Sequence, residues 1–175
     1  MVHIECAGLT DVGKKREGNE DAYFLDDTHR LYVVADGMGG HQAGEVASAI
    51  VVETIKKFME NEEEHTITDF DAMLSSHANQ LVACLRAANR EVYLKAHESE
   101  ECRGMGSTLA AVYYTDATFI AANVGDSPIY LVRDGNIEQL SVSHTVAAEL
   151  AASHPERLKT SSVFSRSGWL AASSA

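Results

Sequence analysis

The sequence contains no run of roughly eighteen apolar residues, so it offers no helical membrane span. Its start, Met1-Val2-His3-Ile4-Glu5-Cys6, has neither a basic leader nor a long apolar stretch, which leads us to expect a cytoplasmic protein without a secretory signal. Cysteine is scarce. Cys6, Cys84 and Cys102 form an odd set with no CxxC pair, which argues for free thiols in a reducing compartment and against a disulfide framework or a zinc site. Positive charge is scarce too: 14 Lys and Arg stand against 26 Asp and Glu, a net charge of −12. That sign is wrong for a nucleic-acid backbone and better suited to holding cations. No lysine lies between Lys15 and Lys56, so the glycine-rich stretch from Gly37 to Gly44 lacks the Gly-Lys-Ser/Thr of a P-loop. No internal repeat is visible.

What remains is the composition of an ordinary globular domain, 45% hydrophobic and 23% charged over 175 residues. The acids are unevenly spread. Residues 1–150 hold 25 acids and 11 bases, whereas residues 151–175 hold one acid, three bases and seven serines. So abrupt a shift marks a boundary. The expected division is a domain part over residues 1–153 and a serine-rich tail over residues 154–175. The tail lacks the apolar periodicity that repays the entropy of ordering and is expected to add little to the core. Phe164, Trp169 and Leu170 are the residues by which it would dock instead.

Periodicity predicts strands at Ile4 to Leu9, Ala22 to Leu25 and Leu31 to Ala35, the last ending at Asp36-Gly37. A helix follows, with Val46, Ile50, Thr54 and Phe58 four apart and Val51, Ile55 and Met59 beside them. The acidic run Glu60-Asn61-Glu62-Glu63-Glu64 reads as a solvated end. A second helix is predicted from about Asp69 to His97, capped by Thr68 or Asp69. Its stripe is Phe70, Leu74, His77, Leu81, Cys84, Ala88 and Val92, with His77 packed in the core. Ser107 to Tyr114, Thr118 to Val124, Ser127 to Arg133 and Ile137 to Leu140 read as strands. Asp134-Gly135 forms the last hairpin turn, and a short helix is expected over His144 to Ser153. Hairpins of strands with two long helices in succession make an α+β protein.

Three segments carry chemistry. Arg16-Glu17-Gly18-Asn19-Glu20-Asp21 sets an arginine before two adjacent carboxylates. Val33-Val34-Ala35-Asp36-Gly37-Met38-Gly39-Gly40-His41 ends an apolar strand on a carboxylate, with glycines that permit close backbone approach. Ala122-Asn123-Val124-Gly125-Asp126-Ser127 does the same. A carboxylate at a buried strand end is poorly solvated and favours a cation, and hard oxygen donors suit magnesium or manganese. Simple Asp-Gly turns are the competing reading of the two strand ends.

Taken in order, Arg16 to Asp21, Asp36-Gly37-Met38-Gly39-Gly40-His41 with Gly44-Glu45 and Ala47-Ser48, Met105-Gly106-Ser107-Thr108, and Asn123 to Ser127 resemble the successive motifs of bacterial PPM/PP2C metal-dependent serine/threonine protein phosphatases. The resemblance implies an α-β-β-α four-layer sandwich of two antiparallel sheets flanked by helix pairs, incomplete here at the C-terminus. It implies a site with two Mn²⁺ or Mg²⁺ ions, Asp36 bridging, the Gly37 carbonyl on one ion, and Glu20 and Asp21 holding that ion directly or through water. Arg16 would grip the substrate phosphate, His41 belongs to the catalytic motif, and Asp126 matches the position of a third, weaker ion. The implied reaction is hydrolysis of phosphoserine or phosphothreonine in protein substrates by a metal-activated water, opposing a serine/threonine kinase, with no nucleic-acid or membrane partner and a monomeric state.

The pattern also departs from the family. Two later aspartates that the family places at the metal site have no match after Leu150, and Pro128 stands where arginine usually follows Gly-Asp-Ser. Ser143-His144-Thr145 replaces a segment that usually starts with aspartate. One metal position is therefore expected to be incomplete and activity low. A non-catalytic remnant or a phosphoprotein-binding module of the same fold is the alternative reading.

Overall fold

A computed structural model of the chain describes residues 3–39, 43–61, 70–115, 118–145 and 148. Its organising element is β2 (Leu31–Met38), which pairs antiparallel with β1 (Asp21–Asp26) on one side and with β4 (Leu109–Tyr114) on the other. The two-residue β3 (Gly106–Ser107) pairs with the end of β2, and β5 (Phe119–Val124) closes the sheet against β4. Alternation of side chains then sorts the sheet into two faces. Leu31, Val33 and Ala35 on β2 and Leu109 and Ala111 on β4 lie in one buried cluster with α1 (Ala43–Glu60) and α2 (Ser76–Glu98). Leu31, Val51, Leu109 and Val92 are fully buried, each worth roughly 1.5–3 kcal/mol relative to exposure.

Both helices differ in detail from their periodicity. On α1 the buried stripe is Ala47, Val51, Ile55, Phe58 and Met59, while Val46 and Ile50 sit at its margin. The start of α2 falls several residues later than expected. Ser75 caps it, its hydroxyl accepting the Ala78 N–H at 3.2 Å. Buried Asn79 ties down the preceding turn by accepting the Asp71 N–H at 2.7 Å and donating to the Asp71 carbonyl at 2.9 Å. Phe70 and Leu74 thus lie before the helix and are exposed, and Thr68 and Asp69 fall outside the described residues. His77 is not a core residue either. It is exposed and meets the Tyr113 ring edge-on at 5.6 Å. From Leu81 to Val92 the expected stripe is buried as read.

The first expected strand, Ile4 to Leu9, is absent as a strand: the segment has no ladder partner, and Leu9 is 92% exposed. It crosses β1 instead, so closely at Gly8 that a Cβ there would lie 2.6 Å from the Tyr23 ring. Thr108 interrupts the strand expected over Ser107 to Tyr114, which becomes β3 and β4. β6 (Tyr130–Arg133) and β7 (Asn136–Gln139) form a separate hairpin. Its turn has Asp134 at φ 52° and Gly135 at φ 75°, the left-handed pair that a two-residue hairpin requires. Cys84 and Cys102 are buried thiols, whereas Cys6 is exposed.

The α+β class therefore stands, but the four layers are only partly present. Among the described residues there is one helix pair, one five-stranded sheet and the β6–β7 ribbon. No second helix pair and no complete second sheet occurs among them. Accordingly the sheet face away from the helices carries exposed apolar side chains: Tyr23 is 40% exposed, Val34 50% and Phe119 60%. Most of the helix expected over residues 144–153, and the tail over residues 154–175, lie outside the described residues.

The β1–β2 turn is held by Asp26. Burial alone raises its pKa. Hydrogen bonds from the His29 ring at 2.6 Å and from the Thr28 and His29 N–H groups at 2.8 and 3.0 Å outweigh that, lowering it below the ordinary carboxylate value. A pKa lowered by folding gives stability that is present above the unfolded value, roughly 3.9, and lost as pH falls through the folded value. Asp26→Asn should therefore lower the melting temperature at pH 7. The gap to wild type should shrink below about pH 4, which paired thermal melts at the two pH values would check.

Candidate functional site

The carboxylates expected to carry chemistry meet at one end of the sheet. Asp21 opens β1 and stands directly opposite Asp36 on β2, so both side chains share the face turned away from the helices. Asp36 is partly buried and its pKa is raised. Burial is the largest cause, followed by the Asp21 charge and a hydrogen bond between the two carboxyls; Arg16 pulls in the opposite sense and Asp126 adds further repulsion. Arg16, Asp21 and Asp126 thus all lie close enough to Asp36 for their charges to act on it.

Glu20 reaches the site by a different route. Its carbonyl accepts the Gly37 N–H at 2.9 Å, while its carboxyl lies against Gly44, where a Cβ would come within 2.7 Å of it. Gly44 in turn sits in the first turn of α1, where a helix end favours a negative charge. At Gly37 the approach is closer still: a Cβ would stand 1.9 Å from the Gly44 carbonyl oxygen and 2.7 Å from that of Glu20. Only glycine permits this meeting of strand end, loop and helix start. Arg16 is exposed on the preceding loop and borders a cleft of about 1440 Å³, walled by Glu17, Glu20, the start of α1 and the turn Glu100–Arg103. His41 lies outside the described residues.

The Gly125–Asp126 turn is fixed by neighbours that the sequence reading assigned no role. Gly125 has φ 91°. Its N–H donates to His144 Nδ1 at 3.2 Å, and its carbonyl accepts the His144 N–H at 3.0 Å. Asn123 Nδ2 donates to the Val142 carbonyl at 2.7 Å and the Gly125 carbonyl at 3.3 Å. Thr108 reaches both this turn and Asp36. The available signal was the presence of Thr108 and Asn123 in the quoted motifs; His144 stands in a departure from them and carried none.

The donor set suits a hard divalent cation. Two carboxyls sharing a hydrogen bond, with a third acid repelling them, form an arrangement that such an ion relieves. Among the described residues, however, no three His, Cys, Asp or Glu side chains come together closely enough to enclose a metal. The Asp21–Asp36 pair brings two carboxyls together.

An α+β chain with paired sheet-end aspartates beside an arginine has the makings of a metal-assisted phosphate site. The Protein phosphatase 2C family description matches residues 13–158, and the chain belongs to that family. A putative protein phosphatase 2C-type from Streptococcus pyogenes is 36% identical over 161 residues, 85% of this chain and 62% of that protein. Stp1, a serine/threonine phosphatase from Staphylococcus aureus, superposes with a TM-score of 0.73 at 30% identity, over 97% of this chain and 70% of that one. The catalytic domain of the serine threonine protein phosphatase PstP, crystallised with two manganese ions, superposes with a TM-score of 0.66 at 28% identity, over 90% of this chain and 67% of that one. The chain thus spans 62% of the length of the streptococcal relative. Among the described residues no helix is long and apolar enough to cross a membrane.

The glycine contact yields a direct test. Gly37→Ala should cost at least the upper end of the roughly 1–3 kcal/mol typical of overpacking, because backbone on both sides blocks relief. Gly18→Ala, where a Cβ meets nothing within 4 Å, should be nearly neutral in the same denaturant titration.

Proposed function

We propose that the chain carries the phosphate-gripping and first metal-binding part of a Mn²⁺- or Mg²⁺-dependent phosphatase acting on phosphoserine and phosphothreonine in proteins. The observation that carries this reading is the Asp21–Asp36 pair with Arg16 beside it, in a chain of this family. Asp36, Asp21, Glu20 and the Gly37 carbonyl would hold the first ion, with Asp126 the residue for a further one. Bound there, a divalent ion supplies a water of lowered pKa and charge stabilisation for the developing phosphate. Arg16, exposed and planar, offers two parallel N–H donors to phosphate oxygens and orients the ester. Burial of Asp36 at the strand end keeps its carboxyl poorly hydrated and so favours a cation over water. His41, five residues after Asp36 in the chain, is proposed as a catalytic residue on the strength of the motif it belongs to. Substrates would be phosphoproteins modified by a serine/threonine kinase.

A second reading is a phosphoprotein-binding module with weak or no turnover. It is favoured by the incomplete metal enclosure among the described residues. Manganese-dependent release of phosphate from a phosphoserine peptide separates the two. Calorimetric titration with MnCl₂ should give heat with the wild-type chain and none with Asp36→Asn; equal heats would remove Asp36 from the site.

Arg16→Ala should leave the melting temperature nearly unchanged, since the side chain is exposed. It should weaken binding of inorganic phosphate or a phosphopeptide about tenfold or more, from the loss of a charge-assisted contact worth roughly 1.5–3 kcal/mol. A stability loss with phosphate affinity intact would make Arg16 a structural residue.

A further inference from the structure

We infer that Thr108 is a positioning residue for the metal site: its hydroxyl and backbone clamp Asp36 and link it to the turn that carries Asp126. The inference rests on the metal-site reading above and extends it to a residue that touches neither ion nor phosphate.

Thr108 is fully buried between β3 and β4, where its own place in the strand ladder is broken. Its N–H donates to the Asp36 carbonyl at 2.8 Å, and its Oγ1 accepts the Asp36 N–H at 2.9 Å. Both backbone polar groups of Asp36 are thus satisfied by one residue 72 positions away. A threonine hydroxyl has one proton and two lone pairs. After accepting from Asp36, the Oγ1 still has a proton and a lone pair for Ser127 Oγ, which lies 2.6 Å away. Ser127 follows Asp126 directly in the chain. Ser107 reinforces the clamp, its hydroxyl donating within reach of the Asp36 carbonyl at 3.3 Å and of the Thr108 carbonyl at 2.8 Å. Asp36 lies near the end of β2 and Asp126 in the turn after β5, with β4 between the two strands. Where the ladder is broken at Thr108, the Asp36–Thr108–Ser127 chain ties the two together by side-chain hydrogen bonds at this end of the sheet. A β-branched side chain suits the role, because its restricted χ1 holds the hydroxyl in one direction.

Thr108→Val keeps the shape and deletes the hydroxyl, while Thr108→Ser keeps the hydroxyl. The measurement is Mn²⁺ affinity by calorimetry on the folded full chain, well below each variant's melting temperature, so that a loss of stability does not enter the reading. Thr108→Val should bind Mn²⁺ about tenfold more weakly, the lower end of the roughly 10–100-fold lost when partners behind metal ligands are removed. Thr108→Ser should restore most of that affinity. Ser127→Ala leaves the clamp on Asp36 intact and should weaken binding measurably by itself. In the double variant with Thr108→Val, it should add less than its single effect, as coupled neighbours do.

A purely structural Thr108 would lower the melting temperature of Thr108→Val with Mn²⁺ affinity unchanged, and that result overturns the inference. So does a failure of Thr108→Ser to restore binding. If Thr108→Val does not fold, Ser127→Ala with wild-type affinity overturns the link by itself. A wild-type chain that binds no Mn²⁺ is a different failure: it removes the metal-site reading first and this inference along with it.

Discussion

Everything at the site depends on how closely the end of β2 approaches the start of α1. That contact is made by backbone on both sides, Gly37 against Gly44, with the Glu20 carbonyl and carboxyl fitted around it. Backbone atoms do not change rotamer, so no side-chain rearrangement can relieve a Cβ placed at this contact. The same contact brings the Arg16–Asp21 loop over the strand end and orients the first turn of α1 toward it. Below it, Val33 and Ala35 of β2 lie with Ala47 and Val51 of α1 in one buried cluster on the helix side. The strand end is thus rigid where its carboxylate must be held, and exposed only toward the opposite face.

The electrostatics follow from that rigidity. Asp21 and Asp36 face each other because antiparallel register makes them cross-strand partners on one face of the sheet. Repulsion of this kind is a standing cost in the absence of a cation. It persists because the hydrophobic core on the other face more than offsets it, a common division between the stable and the functional parts of a fold.

Much of this was legible in the sequence. Leu31 to Ala35 and Leu109 to Tyr114 are apolar on successive residues, and such runs become central strands. Asp134-Gly135 requires left-handed backbone and has it. The family resemblance led us to expect Arg16, Asp21, Asp36 and Asp126 at one place, and the charges of Arg16, Asp21 and Asp126 all act on Asp36. The failures have physical causes. Ile4 to Leu9 has strand-like residues but no partner strand, and strand propensity without pairing yields an extended segment lying on Tyr23. Phe70 and Leu74 continue the helical period of α2, yet Ser75 and Asn79 supply side-chain hydrogen bonds that start the helix after them. Periodicity reports which residues share a face, not where a cap intervenes. Thr108 and His144 were invisible as supports because their roles arise from contacts 72 and 19 residues distant.

The two faces of the sheet differ in when they can be completed during synthesis. Among the described residues the buried cluster runs from Leu31 to Tyr113, and β5 adds Ile120, Ala122 and Val124 at its margin, so those side chains are all present once β5 has left the ribosome. Domains generally fold as their residues emerge. The Tyr23, Val34 and Phe119 face would then be presented as an apolar surface on an already ordered sheet. For as long as it stays uncovered it is a surface for chaperone contact, and its hydration is a cost borne by the nascent chain and not by the finished core.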